Sequence, residues 1–398
     1  VAPTRAATSQ ADRTTTPGTG PWARVVTGQT GPGSLYALYI PRDWNGEAIY
    51  FAHGIRPPLD PVSLDVDQDS LFEVRDALGA EGYAFAYSSF SENGLAVKDG
   101  AQRTHQLRGL LTSALHGQPK RNWLAGGSMG SLIGLDLVEQ YPGEYDGLLA
   151  LCGMVGGTPR ELQYVGDVRS LFDFFYPGVL PGNAISVPEI PLTRDQVIAM
   201  VVAAISSNPL GMYAIASTAQ TPLPYVPSGN VTDPSSLAFQ SLVGSLVYAL
   251  YYQLLGTNDV VDHTHGHSPY GNRGVIYTLG TPVIPNPQLL ASMIAQANAG
   301  MARYDISRDA SNYLDKYYVP TGKLQIPVLT VHNLWDPLDP YFHETDLATI
   351  VGNAGAQNML LQRAVPNYGH CDQFPTSFVM SSFQTLVNWV TTGVKPAS

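Results

Sequence analysis

Trp123-Leu124-Ala125-Gly126-Gly127-Ser128-Met129-Gly130-Ser131 carries the pattern Gly-x-Ser-x-Gly, with Gly126, Ser128 and Gly130 in the fixed places. An apolar run ends just before the pattern, and a helical one, Leu132 to Val138, begins just after it. A serine at a tight turn between strand and helix predicts a nucleophile elbow. The reason is steric: the turn is strained, the hydroxyl is thrust outward, and bulky neighbours on either side would clash with the adjoining strand and helix. The same five residues also describe an ordinary small-residue turn, so the reading depends on what the rest of the chain supplies.

Upstream, Leu35 to Pro41 reads as a strand ended by proline, and Ala48-Ile49-Tyr50-Phe51-Ala52 as a buried strand stopping at His53-Gly54-Ile55. Ser70-Leu71-Phe72-Glu73 has capping-box spacing, which predicts a helix from Leu71 to about Gly79. Tyr83 to Ser88 is a further buried strand, followed by a helix over Ala101 to His116. Downstream of the elbow, Gly147 to Gly153 is another apolar strand. Strand and helix thus alternate over the first 155 residues, which predicts a parallel sheet with helices on both faces. The alternation then stops. Residues 156–321 are rich in proline, glycine and aromatics, with helices clearest over Thr193 to Ser206 and Leu237 to Leu255. It resumes at Ile326 to His332, with a last strand near Asn358 to Leu361 and a last helix over Ser377 to Thr391. The middle segment therefore reads as a cap inserted over the carboxyl edge of one sheet.

The chain has 398 residues, is 44% hydrophobic and only 13% charged, so it is a globular chain with a large core. A formal charge of −11 with no basic cluster argues against nucleic acid as a partner. No apolar run reaches the length of a membrane span. Residues 1–22, without an initial Met and rich in Thr, Ala, Pro and Gly, read as a flexible leader left by signal cleavage. Together with low Lys content and only two cysteines, they predict a secreted, bacterial protein.

A serine hydroxyl is a poor nucleophile at neutral pH and needs a base with an orienting carboxylate behind it. His332-Asn333-Leu334-Trp335-Asp336-Pro337-Leu338-Asp339-Pro340 follows the resumed strand, and Asn367-Tyr368-Gly369-His370-Cys371 follows the last one. His370 is the candidate general base and Asp336 its partner, with Asp339 the rival acid. The oxyanion formed by attack needs backbone N–H groups aimed at it. Met129 is one candidate donor, and Ile55 the other, with Arg56 its rival; His53 reads as shaping the loop.

With these pieces the chain resembles the α/β-hydrolase superfamily. The resemblance rests on His53-Gly54, Gly126-Gly127-Ser128-Met129-Gly130, the His332-to-Asp336 loop and Gly369-His370, and frames residues 23–155 and 322–398 as the core. It implies an acyl-enzyme mechanism on Ser128 that needs no metal or organic cofactor. Gly-Gly-Ser-Met-Gly with Gly369-His370 looks like homoserine acetyltransferases, whose acceptor-binding residues have no evident counterpart here. His370-Cys371 looks like tannase and feruloyl esterase enzymes, but Gly127 stands where those have the partner cysteine. The other cysteine, Cys152, ends the strand after the nucleophile helix, so Cys152 and Cys371 either bond and pin the histidine loop or remain two buried thiols.

Weaker signals lie elsewhere. The aromatic run holding Phe172, Phe175 and Tyr176 offers an apolar substrate wall, with Arg56 and Trp335 as further substrate contacts, although packing of the cap explains most of those aromatics equally well. His263, His265 and His267 alternate as two ligands on an extended segment would, without an evident fourth donor. Asp65 to Asp69 opens like a calcium loop, but Ser70 stands where glycine is required. The expected function is a secreted serine hydrolase cleaving small-molecule or polymeric carboxylic esters, aliphatic first and aryl second. The alternatives are a cap-bearing aminopeptidase, with Glu161, Asp167, Asp173, Asp259 or Asp262 to hold a substrate ammonium, and an acyltransferase.

Overall fold

The structure, a computed structural model, describes residues 13–65, 69–188, 192–317, 319–371 and 374–397. Its centre is a nine-stranded sheet. The strands are β1 (Thr14–Pro17), β2 (Trp22–Thr30), β3 (Ser34–Pro41), β4 (Glu47–Ala52), β5 (Ala84–Ser88), β6 (Arg121–Gly127), β7 (Gly147–Leu151), β8 (Val328–Trp335) and β9 (Leu360–Tyr368). The spatial order is β1-β2-β3-β5-β4-β6-β7-β8-β9. The first three strands and the β3–β5 pair are antiparallel, and every pair from β5 to β9 is parallel. This is the α/β-hydrolase fold.

Side-chain alternation builds the two faces of the sheet. Ala48, Tyr50 and Ala52 of β4 pack with Leu124, Leu148 and Ala150 under α2 (Val97–Leu115) and α3 (Met129–Gln140). Ile49 and Phe51 point the other way, with Phe85, Trp123, Leu149 and Leu329, against α1 (Asp69–Ala80) and α11 (Thr376–Thr392). Burial on both faces is why these strands read as continuous apolar runs. The strand order reverses at β4, which has β5 on one side and β6 on the other. Ligands of open α/β sheets bind at such a switch point, outside the carboxyl ends of the strands. The loops leaving β4 and β6 there carry His53-Gly54-Ile55 and Ser128.

Between β7 and β8 lie α4 (Thr158–Phe175), α5 (Arg194–Ser207), α6 (Pro209–Ala216), α7 (Leu237–His263), α8 (Pro287–Gly300) and α9 (Arg308–Tyr317). They form a core of their own around Phe172, Val201, Ile215, Leu246 and Leu290. A capping box of Thr193 and Gln196 starts α5. The Asp259 carboxylate of α7 accepts from Leu95 N at 2.7 Å, ahead of α2. Tyr368 at the end of β9 donates to Ser241 O of α7 at 3.0 Å. α10 (Phe342–Asn353), which follows β8, meets α4 through Arg160–Asp346 at 3.1 Å. All three anchors lie beyond carboxyl ends of parallel strands, so the inserted helices sit over that edge. No single helix among the described residues is long and apolar enough to cross a membrane.

Several elements differ from the sequence reading. Thr14–Pro17 is an edge strand on β2, and Trp22 is buried, so the second half of the predicted leader belongs to the sheet; residues 1–12 lie outside the described residues. α1 begins at Asp69, which puts Ser70 inside the first turn rather than at its cap. Residues 66–68 of the calcium-like stretch lie outside the described residues. α7 runs eight residues past Leu255, ending at His263. His263 is therefore helical, with Nδ1 on Asp259 O at 2.8 Å and Nε2 on Glu92 Oε1 at 3.2 Å, while His265 and His267 are exposed. The three do not gather on an extended segment, and the metal reading falls with that geometry.

Candidate active site

Ser128 sits between β6 and α3 with φ 55° and ψ −127°, a left-handed conformation that costs a non-glycine residue strain. The flanking glycines make it possible. A Cβ on Gly126 would lie 2.1 Å from Gly130 O, and one on Gly130 would lie 2.0 Å from Ala52 O. Ser128 N donates to Leu151 O at 2.9 Å, tying the turn to the end of β7. A Cβ on Gly54 would come within 3.0 Å of Ser128 Cβ and 3.4 Å of its Oγ, so the loop after β4 passes in contact with this serine. That loop brings Ile55 beside the site, while Met129 opens α3, where backbone N–H groups have no intrahelical acceptor.

Asp336 follows β8 and is fully buried. Its Oδ1 accepts from Leu338 N at 2.9 Å and Asp339 N at 3.0 Å, so the Asp-Pro-Leu-Asp turn wraps its own carboxylate. His370 Nδ1 lies 2.8 Å from Asp336 Oδ2 and 3.0 Å from Oδ1. A carboxylate only accepts, so Nδ1 carries the proton and Nε2 is the basic nitrogen. Behind them is His332, also fully buried. Its Nε2 donates to Asp339 O at 2.7 Å, and its Nδ1 faces Glu344 Oε1 at 3.2 Å. Burial lowers the basicity of His332, but the Glu344 hydrogen bond and the charges of Asp336 and Glu344 outweigh it and hold its pKa above the ordinary value. A cationic His332 supports the Asp336 anion from the rear, with Nε2 3.6 Å from Oδ2.

Asp339 does not contact His370 as the rival acid would. Its Oδ2 accepts from Ser128 Oγ at 3.4 Å, which places a second buried carboxylate on the serine itself. Burial and the neighbouring Asp336 charge push its pKa up to about 6, against the lowering pull of His370. Further back, Glu161 Oε2 of α4 faces His343 Nε2 of α10 at 3.0 Å. Sequence reasoning offered Glu161 only as one of five acids and missed His343, since 182 residues separate them.

The predicted substrate contacts fare differently. Phe172 and Tyr176 are buried in the core of the inserted helices, their rings 4.8 Å apart, and Phe175 packs on the same core against Phe174. None of the three is a free wall. Arg56 donates to Ser63 O at 2.8 Å, within its own loop. Trp335 is half-buried at the end of β8, in register with Tyr368. His53 stacks on Phe90 at 3.9 Å with Nδ1 on Gly54 O, and burial pushes its pKa down to about 4, so it is a neutral residue of the loop.

Cys152 and Cys371 form a disulfide, their Cα atoms 5.3 Å apart. It joins the end of β7 to the residue after His370. Among the described residues, the one set of three His, Cys, Asp or Glu side chains whose donor atoms all lie within 4.8 Å of one another is Cys152, His370 and Cys371. Two sulfurs bonded to each other are not thiolates, so this grouping is no metal site. The bond spans 219 residues, and closing so long a loop in the unfolded chain is worth about 3–5 kcal/mol. Reductant is therefore expected to lower the melting temperature by several degrees in differential scanning calorimetry. An unchanged transition with two titratable thiols would show that the bond contributes nothing.

No protein-family model matches the chain, and no curated protein matches its sequence. Among solved structures it is similar to the rice cell wall degrading esterase LipA from Xanthomonas oryzae, at 13% identity and TM-score 0.41 over 93% of this chain and 88% of that one. It is similar to feruloyl esterase B from Aspergillus oryzae at 14% identity and TM-score 0.43, over 94% of this chain and 81% of that one. A putative lipase from Acinetobacter baumannii AYE aligns at 12% identity and TM-score 0.42, over 96% of this chain and 93% of that one.

Proposed function

We propose that this chain is a serine hydrolase that cleaves carboxylic esters through an acyl-enzyme on Ser128. The observation that carries the reading is His370 Nδ1 held 2.8 Å from the buried Asp336 carboxylate, at the strand ends that also carry a serine at φ 55°. In this mechanism Ser128 Oγ turns from Asp339 toward His370 Nε2, which takes its proton as Oγ bonds to the ester carbonyl carbon. The N–H groups of Met129 and Ile55 receive the oxyanion. His370 then returns the proton to the leaving alcohol, and water, deprotonated by the same nitrogen, releases the acid. Asp336 fixes the tautomer and stabilises the imidazolium. The disulfide supports secretion into an oxidising compartment.

The test pairs intact mass after a fluorophosphonate probe with turnover of p-nitrophenyl esters from acetate to palmitate. One adduct on Ser128 and ester turnover are expected, with the chain-length optimum reporting the acyl pocket. No adduct and no turnover would overturn the reading.

A further inference from the structure

The mechanism above has no use for Asp339 or Glu161. Both are buried acids, and Asp339 lies 3.4 Å from the nucleophilic oxygen. Its position is fixed at both backbone ends: its N–H is on Asp336 Oδ1 and its C=O receives His332 Nε2. Among the described residues no cationic side chain is hydrogen-bonded to the Glu161 carboxyl, on which Arg160 acts without a hydrogen bond. His343 Nδ1 accepts from Gly156 N at 3.1 Å, so its only proton is on Nε2, facing Glu161, and the ring is neutral. Arg160 is drawn off to Asp346 and over the Phe342 ring. The buried Glu161 Oε1 and Tyr164 OH have no hydrogen-bond partner among the described residues. Burial, with the charges of Asp339 and Asp336, holds the Glu161 carboxyl well above its ordinary pKa against the pull of Arg160, and burial raises Tyr164 likewise. The nucleophile therefore has a buried carboxylate beside it at Asp339, and the protein leaves the Glu161 Oε1 and Tyr164 OH atoms without a hydrogen-bond partner.

We propose that Asp339, backed by Glu161 and Tyr164, is a subsite for an ammonium group on the α carbon of the acyl moiety, so that the preferred substrates are α-aminoacyl esters. The geometry admits an amine at the α position, the shortest arm that carries one. A carbonyl carbon poised for attack lies about 3–3.5 Å from Oγ. An α-nitrogen lies about 2.5 Å from that carbon, by two bonds and the angle between them. A charge-assisted hydrogen bond from it to Asp339 is about 2.8 Å long. In the serine conformation of the structure those three lengths close on the 3.4 Å between Ser128 Oγ and Asp339 Oδ2, and together they are long enough to stay closed when Oγ turns toward His370. An α-hydroxyl would reach the same oxygen but bring no charge, whereas an ammonium answers both the acceptor and the anion.

This inference rests on the serine-hydrolase reading, and the experiment separates the two. Alanyl, lactyl and propionyl esters of one alcohol, matched in size, are compared by kcat/KM at about pH 7, where an α-amine is largely protonated. With each value divided by that ester's own hydroxide-catalysed hydrolysis rate, because an α-ammonium also activates the carbonyl inductively, alanyl is expected to exceed propionyl by about tenfold to a hundredfold, the range of one hydrogen bond to a charged group. Lactyl should fall between them. In Glu161→Gln and in Asp339→Asn the alanyl-to-propionyl ratio should shrink by about tenfold. Wild-type protein alone decides the central point, whether or not the variants fold. Equal rates, so divided, on alanyl and propionyl esters, or a lactyl rate above the alanyl one, overturn the ammonium subsite. If Ser128 still takes the fluorophosphonate, the hydrolase reading survives that result. Loss of both labelling and all three turnovers overturns both.

Discussion

Ser128→Ala is expected to remove ester turnover by about 10⁶-fold in kcat and to abolish the fluorophosphonate adduct, while leaving the melting temperature nearly where it was. The separation of the two readouts follows from the local structure. The serine pays its backbone strain through φ 55°, and alanine at the same φ is strained to the same degree. The turn is held by Ser128 N on Leu151 O and by Ser131 Oγ on Gly126 O, neither of which involves the deleted oxygen. What the side chain loses is one long hydrogen bond to Asp339, worth about 1 kcal/mol at most. The proposed oxyanion donors, backbone N–H groups, are untouched by the change, so a residual rate about 10³-fold or more above water is expected. An esterase assay and a thermal scan on the same preparation check both halves. Ester cleavage at an undiminished rate would place the nucleophile elsewhere.

The sheet was legible because its strands are short apolar runs buried on both faces, and because glycine and proline punctuate them. The elbow was legible for a related reason: Gly126 and Gly130 are there because Gly130 O and Ala52 O occupy the space a side chain would need. What escaped had no local signature. Thr14–Pro17 is fully exposed and pairs only with β2, so its threonines look like those of a leader. α7 continues through Gly256-Thr257-Asn258, poor helix formers, because Thr257 Oγ1 and Asn258 Nδ2 find partners at Gln253 and Val187 O. Aromatic content announced that the inserted segment would pack, but not that Phe172 and Tyr176 would face its own core rather than the serine. In the sequence Asp336 and Asp339 are rivals for one role, because spacing alone cannot separate them. Folding gives the first to His370 and the second to Ser128.

That division makes Asp336→Asn the second large effect. A carboxylate at this place accepts from His370 Nδ1 and keeps the proton off Nε2, which can then act as base. An asparagine can present its amide N–H₂ to Nδ1, since its oxygen is claimed by Leu338 N and Asp339 N. Nδ1 then becomes an acceptor, the proton moves to Nε2, and the nitrogen needed to deprotonate Ser128 is blocked. The expected loss is about 10⁴-fold in kcat, or about 5 kcal/mol of transition-state stabilisation. The same change strips His332 of an adjoining anion in a buried site, so a lower melting temperature is expected as well. Asp339→Asn leaves the His370–Asp336 pair untouched and is expected to cost at least about a hundredfold less on a propionyl ester, where no ammonium needs the carboxylate. Steady-state kinetics on the two variants with that one substrate settle the roles. If the Asp339 variant is the inactive one, the base is oriented by the other acid, and both the mechanism and the subsite built on Asp339 have to be redrawn.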